Sequence, residues 1–228
     1  MTIQEFHLNF KFGLDKIDSL NYPNFLPEEI DLLLNQGQER YIKQRYGLNN
    51  NKRQSFEETQ KRTEDLKNIV VNANLIPNAV NSNNIDPDAR FVTLPSDHWF
   101  IIQERARVSY IDCTSATITD LIKVQPIQHL EFDNAIEDAF ASPDKTKLLR
   151  LMENGAVELI SSPGVTITEY RVRYLRRPAT MSLALNVTSD LSEHTHREIV
   201  DEAIKIALED IEAKRLNSFV PIIDNQKE

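Results

Sequence analysis

The feature that most constrains this chain lies near its C-terminus, where Ile199, Val200, Ala203, Ile204, Ala207, Leu208 and Ile211 recur at successive threes and fours. That spacing is the 3.6-residue period of an amphipathic helix with one apolar face. Just ahead of it, Thr195-His196-Arg197-Glu198 has the spacing of a capping box, in which hydroxyl and carboxylate satisfy orphan amides reciprocally. The pattern predicts a helix over 195–214 that closes a core. After it, NSFVPIIDNQKE reads as a tail over 217–228, and Phe219, Val220, Ile222 and Ile223 form an apolar cluster with no helix to carry them. Four apolar side chains are costly to leave in water, which predicts that the tail docks on its own domain or on an adjacent subunit.

A second helical region is expected at 25–72. Pro27 suits a first helical position, and Glu28, Glu29 and Asp31 sit where the helix dipole favours acids. Ile30, Leu33, Leu34, Tyr41 and Leu48 give the stripe and Gly47 a stop, while Gly37 is a mild cost to the helix that also allows close packing. Ser55-Phe56-Glu57-Glu58 offers another capping box, with Leu66, Ile69 and Val70 continuing an apolar face. The two helices would form a hairpin. Residues 1–24 read as an extended arm, because Phe6, Leu8, Phe10 and Phe12 alternate with His7, Asn9 and Lys11.

Between the helical ends lies a β-rich part over 91–178. The stretch NLIPNAVNSNNIDPDAR, with its prolines and clustered asparagines, reads as an irregular connector leading into it. FVTLP, WFIIQERARVSYI and SATITDLIKVQPI read as strands, and QHLEFDNAIEDAF as a short helix or helical loop. KLLRLMENGAVELISS reads as a hairpin, since Asn154-Gly155 supplies the positive φ angles of a type I′ turn. Val165 to Arg177 is one more long strand, ended by Pro178. The fold class is therefore α+β: an N-terminal helical hairpin, a mostly antiparallel β region and a C-terminal amphipathic helix, with an extended arm and a tail around a single domain at 25–216.

The stretch EYRVRYLRRP interleaves arginines with tyrosines, as a nucleic-acid-binding surface would. On a strand, period 2 puts Arg171, Arg173, Leu175 and Arg177 on one face and Tyr170, Val172, Tyr174 and Arg176 on the other. A stacking platform needs both residue types on one surface. The arginine face is thus expected to meet solvent or a partner, and a protein carboxylate fits it as well as a phosphate does, since arginine binds both in bidentate fashion. A nucleic-acid module built on Arg171, Arg173, Arg176 and Arg177 is the alternative. Acids outnumber bases 35 to 26, giving −9 at neutral pH, which argues against a general DNA wrapper.

No catalytic signature appears. The chain has no nucleophile elbow, zinc-protease helix, phosphate loop or dinucleotide fingerprint, and five glycines leave no glycine-rich cradle. His194, His196 and Glu193 cluster without a second pair of ligands, so neither a metal nor a cofactor is expected. The single Cys113 forbids an internal disulfide and fits a reducing compartment. No signal peptide and no membrane-spanning run is legible, so synthesis in the cytoplasm is expected.

Three segments together carry a resemblance. FHLNFKFGLDKIDSLNYPNFLPEEIDLLLNQGQERYIKQRYG resembles the N-terminal part of a structural-protein family of crAss-like bacteriophages, with its arm, its serine-asparagine-proline loop and its helix bearing a central Gln-Glu. TEYRVRYLRRPATMSLAL resembles that family's tyrosine-containing strand ending in proline, and SEHTHREIVDEAIKIALEDIEAKR its C-terminal helix. The resemblance implies a ring or head-tail connector protein of the virion neck. It implies a ring of identical subunits, commonly twelvefold, stacked on the portal protein beside other neck or tail proteins, around the channel that double-stranded DNA traverses. By the same analogy Phe219, Val220, Ile222 and Ile223 would dock on the portal. Arg171, Arg173 and Arg177, which period 2 puts on one charged face, are the candidate partner-contact residues.

Overall fold

The computed structural model describes residues 1–17, 25–47, 57, 59–78, 86 and 89–210. Its contacts gather into two units, Met1–Ile69 with the chain from Pro178 onward, and Val70–Arg177.

The first unit is helical. Helix α1 spans Ile3–Ile17, α2 Pro27–Tyr46, α3 Gln60–Leu66 and α5 His196–Asp210. The arm expected at 1–24 is corrected here: Ile3–Ile17 form α1, and residues 18–24 lie outside the described ones. Phe6 and Phe10 alternate with polar neighbours, but they also lie four apart, and with Ile3 and Leu14 they make one buried helical stripe. Leu8 and Phe12, the other members of the apparent alternation, are exposed. Helix α2 begins at Pro27, buries Ile30, Leu33, Leu34 and Tyr41, and ends at Gly47 as the sequence implies. Helix α3 is capped by the Thr59 hydroxyl, which accepts from the Arg62 amide. Of the box expected at Ser55, three residues lie outside the described ones, as do Leu48, Ile211 and the whole tail with Phe219, Val220, Ile222 and Ile223.

Helices α2 and α5 cross with their backbones close together. A Cβ on Gly37 would lie 2.8 Å from the Ala203 amide nitrogen and 2.9 Å from the Ile199 carbonyl oxygen, so only glycine lets the two backbones approach this far. Beside this crossing, Arg45 Nη2 meets Glu198 at 2.6 Å and Arg40 Nη1 meets Glu209 at 3.1 Å. Glu198 is therefore drawn to α2. The Thr195 hydroxyl donates to the Ser192 carbonyl within a 3-10 turn, where a reciprocal box was expected. The segment after Pro178 runs as a strap whose backbone is held by α2: Asn35 pairs with the Met181 main chain at 2.8 and 2.9 Å, and Asp31 accepts from the Leu183 amide at 2.9 Å.

The second unit is a seven-stranded sheet. Its strands are β1 Val70–Leu75, β2 Arg90–Thr93, β3 His98–Ile111, β4 Thr117–Pro126, β5 Lys147–Glu153, β6 Ala156–Ile160 and β7 Val165–Arg176. They lie in the order β1-β7-β3-β4-β5-β6-β2. Every pairing is antiparallel except β4 with β5, whose parallel pairing requires a crossover. The crossover contains helix α4, Phe132–Glu137, inside the stretch expected to be helical. Asn154 and Gly155 adopt φ of 44° and 75° and close the β5–β6 hairpin. Strand β1 corrects two expectations, that Val70 continues a helix and that the connector starts at Asn74: Val71, Ala73 and Leu75 turn inward, and Asn72 and Asn74 outward.

One face of the sheet is apolar. Val71 and Ala73 from β1 and Val92 from β2 join a single cluster with Ala106, Val108, Ile122, Leu148, Tyr170 and Val172. Strands at opposite ends of the order thus share one core, and the sheet curls around its own inner face. Among the described residues, the outer face is covered by α4 over β5 and β6, where Phe132 packs with Ala89, Leu149, Leu151 and Ile160.

Candidate functional site

The part of the outer face that no described residue covers is the candidate site. Period 2 acts first within β7. Tyr170, Val172 and Tyr174 are buried on the inner face, while Arg171 and Arg173 stand outward. The Tyr170 hydroxyl donates to Glu104 Oε2 at 2.7 Å, and Arg150 Nε lies 3.1 Å from the same oxygen. Burial pushes both the Glu104 carboxyl and the Tyr170 hydroxyl above their ordinary values, so Tyr170 remains a proton donor. The Tyr174 hydroxyl donates to Asp97 at 3.0 Å. These tyrosines are committed to the interior, and the arginines have no aromatic platform from β7 beside them.

Arg177 departs from the expected face. It lies one residue beyond the end of β7, and Leu175, which alternation places between it and Arg173, is fully buried. The register of β3 against β7 shifts between His98 and Phe100 and again between Ile101 and Gln103, which breaks the simple alternation at this end. The structure therefore brings Arg171 and Arg173 together and leaves Arg177 outside their row.

What joins Arg171 comes from other strands. Arg105 on β3 is paired directly with Arg171, Lys123 on β4 with Arg105, and Lys147 on β5 with Lys123. Directly paired residues point to the same face, so four cations form one transverse row across four strands. At about 4.8 Å per strand the row is roughly 14 Å long. Like charges directly opposite one another destabilise a sheet.

The cations are not equally engaged. Arg171 binds Glu169 at 2.9 Å, and Arg107 binds the same carboxylate at 3.1 Å. The hydrogen bond from Arg171, with Arg107 nearby, holds the Glu169 carboxyl below its ordinary value. Arg173 donates to Asn72 Oδ1 at 2.8 Å, and the Lys147 ammonium donates to the Phe140 carbonyl. Arg105 and Lys123, at the centre of the row, are exposed and have no carboxylate partner among the described residues. Arg105 also stands between two open depressions. One, of about 290 Å³, lies towards Asn72, Gln103 and Arg173, and the other, of about 640 Å³, lies towards Leu121, Lys123 and Gln125.

Arg105 and Lys123 escaped sequence reasoning, although the signal was present in the alternation of Glu104, Arg105, Ala106, Arg107 and Val108. What a single strand hides is its register against the next. The histidine cluster is resolved differently: His194 Nε2 meets Asp65 at 2.8 Å and His196 Nε2 meets the Leu191 carbonyl at 3.1 Å, and among the described residues no group with metal-ligand character forms. Also among the described residues, no helix is long and apolar enough to cross a membrane.

The profile of the phage tail ring protein 3/4 family matches residues 1–217. The chain belongs to that family. Among curated relatives, "Ring protein 4/5" of Bacteroides phage crAss001 is 25% identical over 229 aligned residues, covering 91% of this chain and 92% of the relative. "Ring protein 3" of the same phage is 26% identical over 226, covering 91% and 95%. The family match over residues 1–217 extends over both units.

Proposed function

We propose that the chain is a structural, non-catalytic subunit of an oligomeric ring in the virion neck, stacked on the portal at the head-tail junction, through which the phage genome passes. The observation that carries this reading is the match of a phage tail ring protein family over residues 1–217, together with two relatives of nearly equal length named as ring proteins. In this reading identical subunits close a ring, with twelvefold symmetry where it meets the portal, and other neck or tail proteins extend the stack. Phe219, Val220, Ile222 and Ile223 would anchor the tail on the portal, and Arg171 and Arg173, without Arg177, would face a neighbouring protein. The net charge of −9 suits a channel that lets DNA slide without sticking.

The test is reconstitution. Mixing the full chain with purified portal protein should give a large symmetric complex whose copy number is read directly by electron microscopy. A chain that stays monomeric beside the portal overturns the reading.

A further inference from the structure

We propose that the Arg171–Arg105–Lys123 row and the depression beside Lys123 receive the 130–140 segment of a second copy of this chain. The inference rests on the ring reading above and deepens it by naming the two surfaces that meet. Arg105 and Lys123 are exposed, directly opposite one another, and without a carboxylate among the described residues. Two strand positions away, Arg107 faces Glu169 across the ladder, the arrangement that stabilises a sheet. The central pair keeps a repulsion that one acidic substitution on the sheet would remove.

The same chain carries the complementary surface. Glu131, Asp133 and Glu137 are exposed along the crossover, and none has a basic partner among the described residues. Leu130 and Phe140, which flank them, are each 91% exposed. Phe132 fixes this segment to the sheet through Leu149 and Leu151, so it is a held protrusion that is both acidic and apolar. The depression of about 640 Å³ is mainly basic, with Arg105, Lys123 and Lys147 against the single acid Asp120, and Leu121 and Pro126 add apolar surface to its lining. An acidic protrusion on one copy and a basic recess on the next make a heterologous contact, the kind whose repetition closes a ring. A duplex fits less well. Phosphates satisfy the cations but leave Leu130 and Phe140 uncovered, and the surplus of acids on the chain repels DNA.

The experiment uses two full-length variants, Arg105→Glu/Lys123→Glu and Glu131→Lys/Asp133→Lys, with circular dichroism confirming the fold; glutamine versions replace any that misfold. Sedimentation is followed in the condition in which the unsubstituted chain assembles. Each variant alone should lose association by about tenfold or more, because like charges then face each other. An equimolar mixture of the two should recover it, since each reversed surface finds its opposite. Variants that assemble like the parent overturn this interface and leave the ring reading standing. Loss without recovery on mixing also overturns it, as does loss confined to the first variant together with lost binding of a short labelled duplex, which would assign the row to nucleic acid. If the unsubstituted chain never assembles, with portal or without, the ring reading itself fails and this inference with it.

Discussion

Arg105 lies directly opposite Lys123 in the β3–β4 ladder, and Arg171 lies opposite Arg105 on its other side. A sheet under selection for stability alone would place an acid in this row, as it does where Glu169 faces Arg107. Replacing both central cations with glutamine should therefore leave the isolated chain equally stable or more stable, by a few tenths to about 1 kcal/mol at low salt. The gain should shrink as salt screens the row. Urea unfolding at two ionic strengths, below the concentration of assembly, checks this. A clear loss of stability would mean that the row contributes to the fold.

Gly37 supplies a test of the helical unit. On an exposed helix, glycine to alanine stabilises by roughly 0.5–1 kcal/mol. Here the new methyl would meet backbone atoms of α5 at 2.8 and 2.9 Å, and backbone cannot rotate away as a side chain can. Gly37→Ala should reverse the usual sign and cost about 1–3 kcal/mol in chemical denaturation. An unchanged or raised midpoint would show that α2 and α5 can separate freely.

These two cases mark what was legible. Gly37 was readable as a helix cost that close packing would offset, though not which element approaches it, and the C-terminal helix was readable because one periodicity fits it. The N-terminal segment satisfied two periods at once. Phe6 and Phe10 suit a strand face or a helix face, and only the surface that buries them decides. Strand β1 was hidden by Asn72 and Asn74, whose preference for turns outweighed the alternation of Val71, Ala73 and Leu75 until pairing with β7 supplied a ladder. The candidate site was half legible: alternation separates Arg171 from Tyr170, but no single strand records that Arg105 and Lys123 stand beside it.

Asp65 organises the buried polar centre of the helical unit. It is fully buried, accepts from the Tyr41 hydroxyl at 3.0 Å, and lies 3.1 Å from Arg45 Nε and 2.8 Å from His194 Nε2. Burial pushes the Tyr41 hydroxyl up, so it stays a donor. Asp65→Ala should cost about 3–5 kcal/mol, since it strands Arg45 and Tyr41 away from water. Asp65→Asn should cost less, because the amide oxygen still accepts. A loss under about 1 kcal/mol for alanine would mean that Glu198, 2.6 Å from Arg45, compensates the guanidinium alone.

Acid sensitivity should come from two histidines, one in each unit. Burial lowers the His98 imidazole below its ordinary value of 6.5, with Arg150 adding to the effect, and burial likewise lowers His196. Both are therefore harder to protonate when folded than when unfolded. Below about 6.5 the unfolded chain binds more protons than the folded one, so stability rises with pH across this window and is lost as pH falls from about 7 towards 5. Glu104 has the opposite sign: burial raises it, so its protonation on acidification favours the folded state and partly offsets the histidines. His98→Gln with His196→Gln should flatten the fall in melting temperature between pH 7 and 5.5 relative to the unsubstituted chain. Parallel slopes for the two proteins would show that the histidines do not set the acid limit.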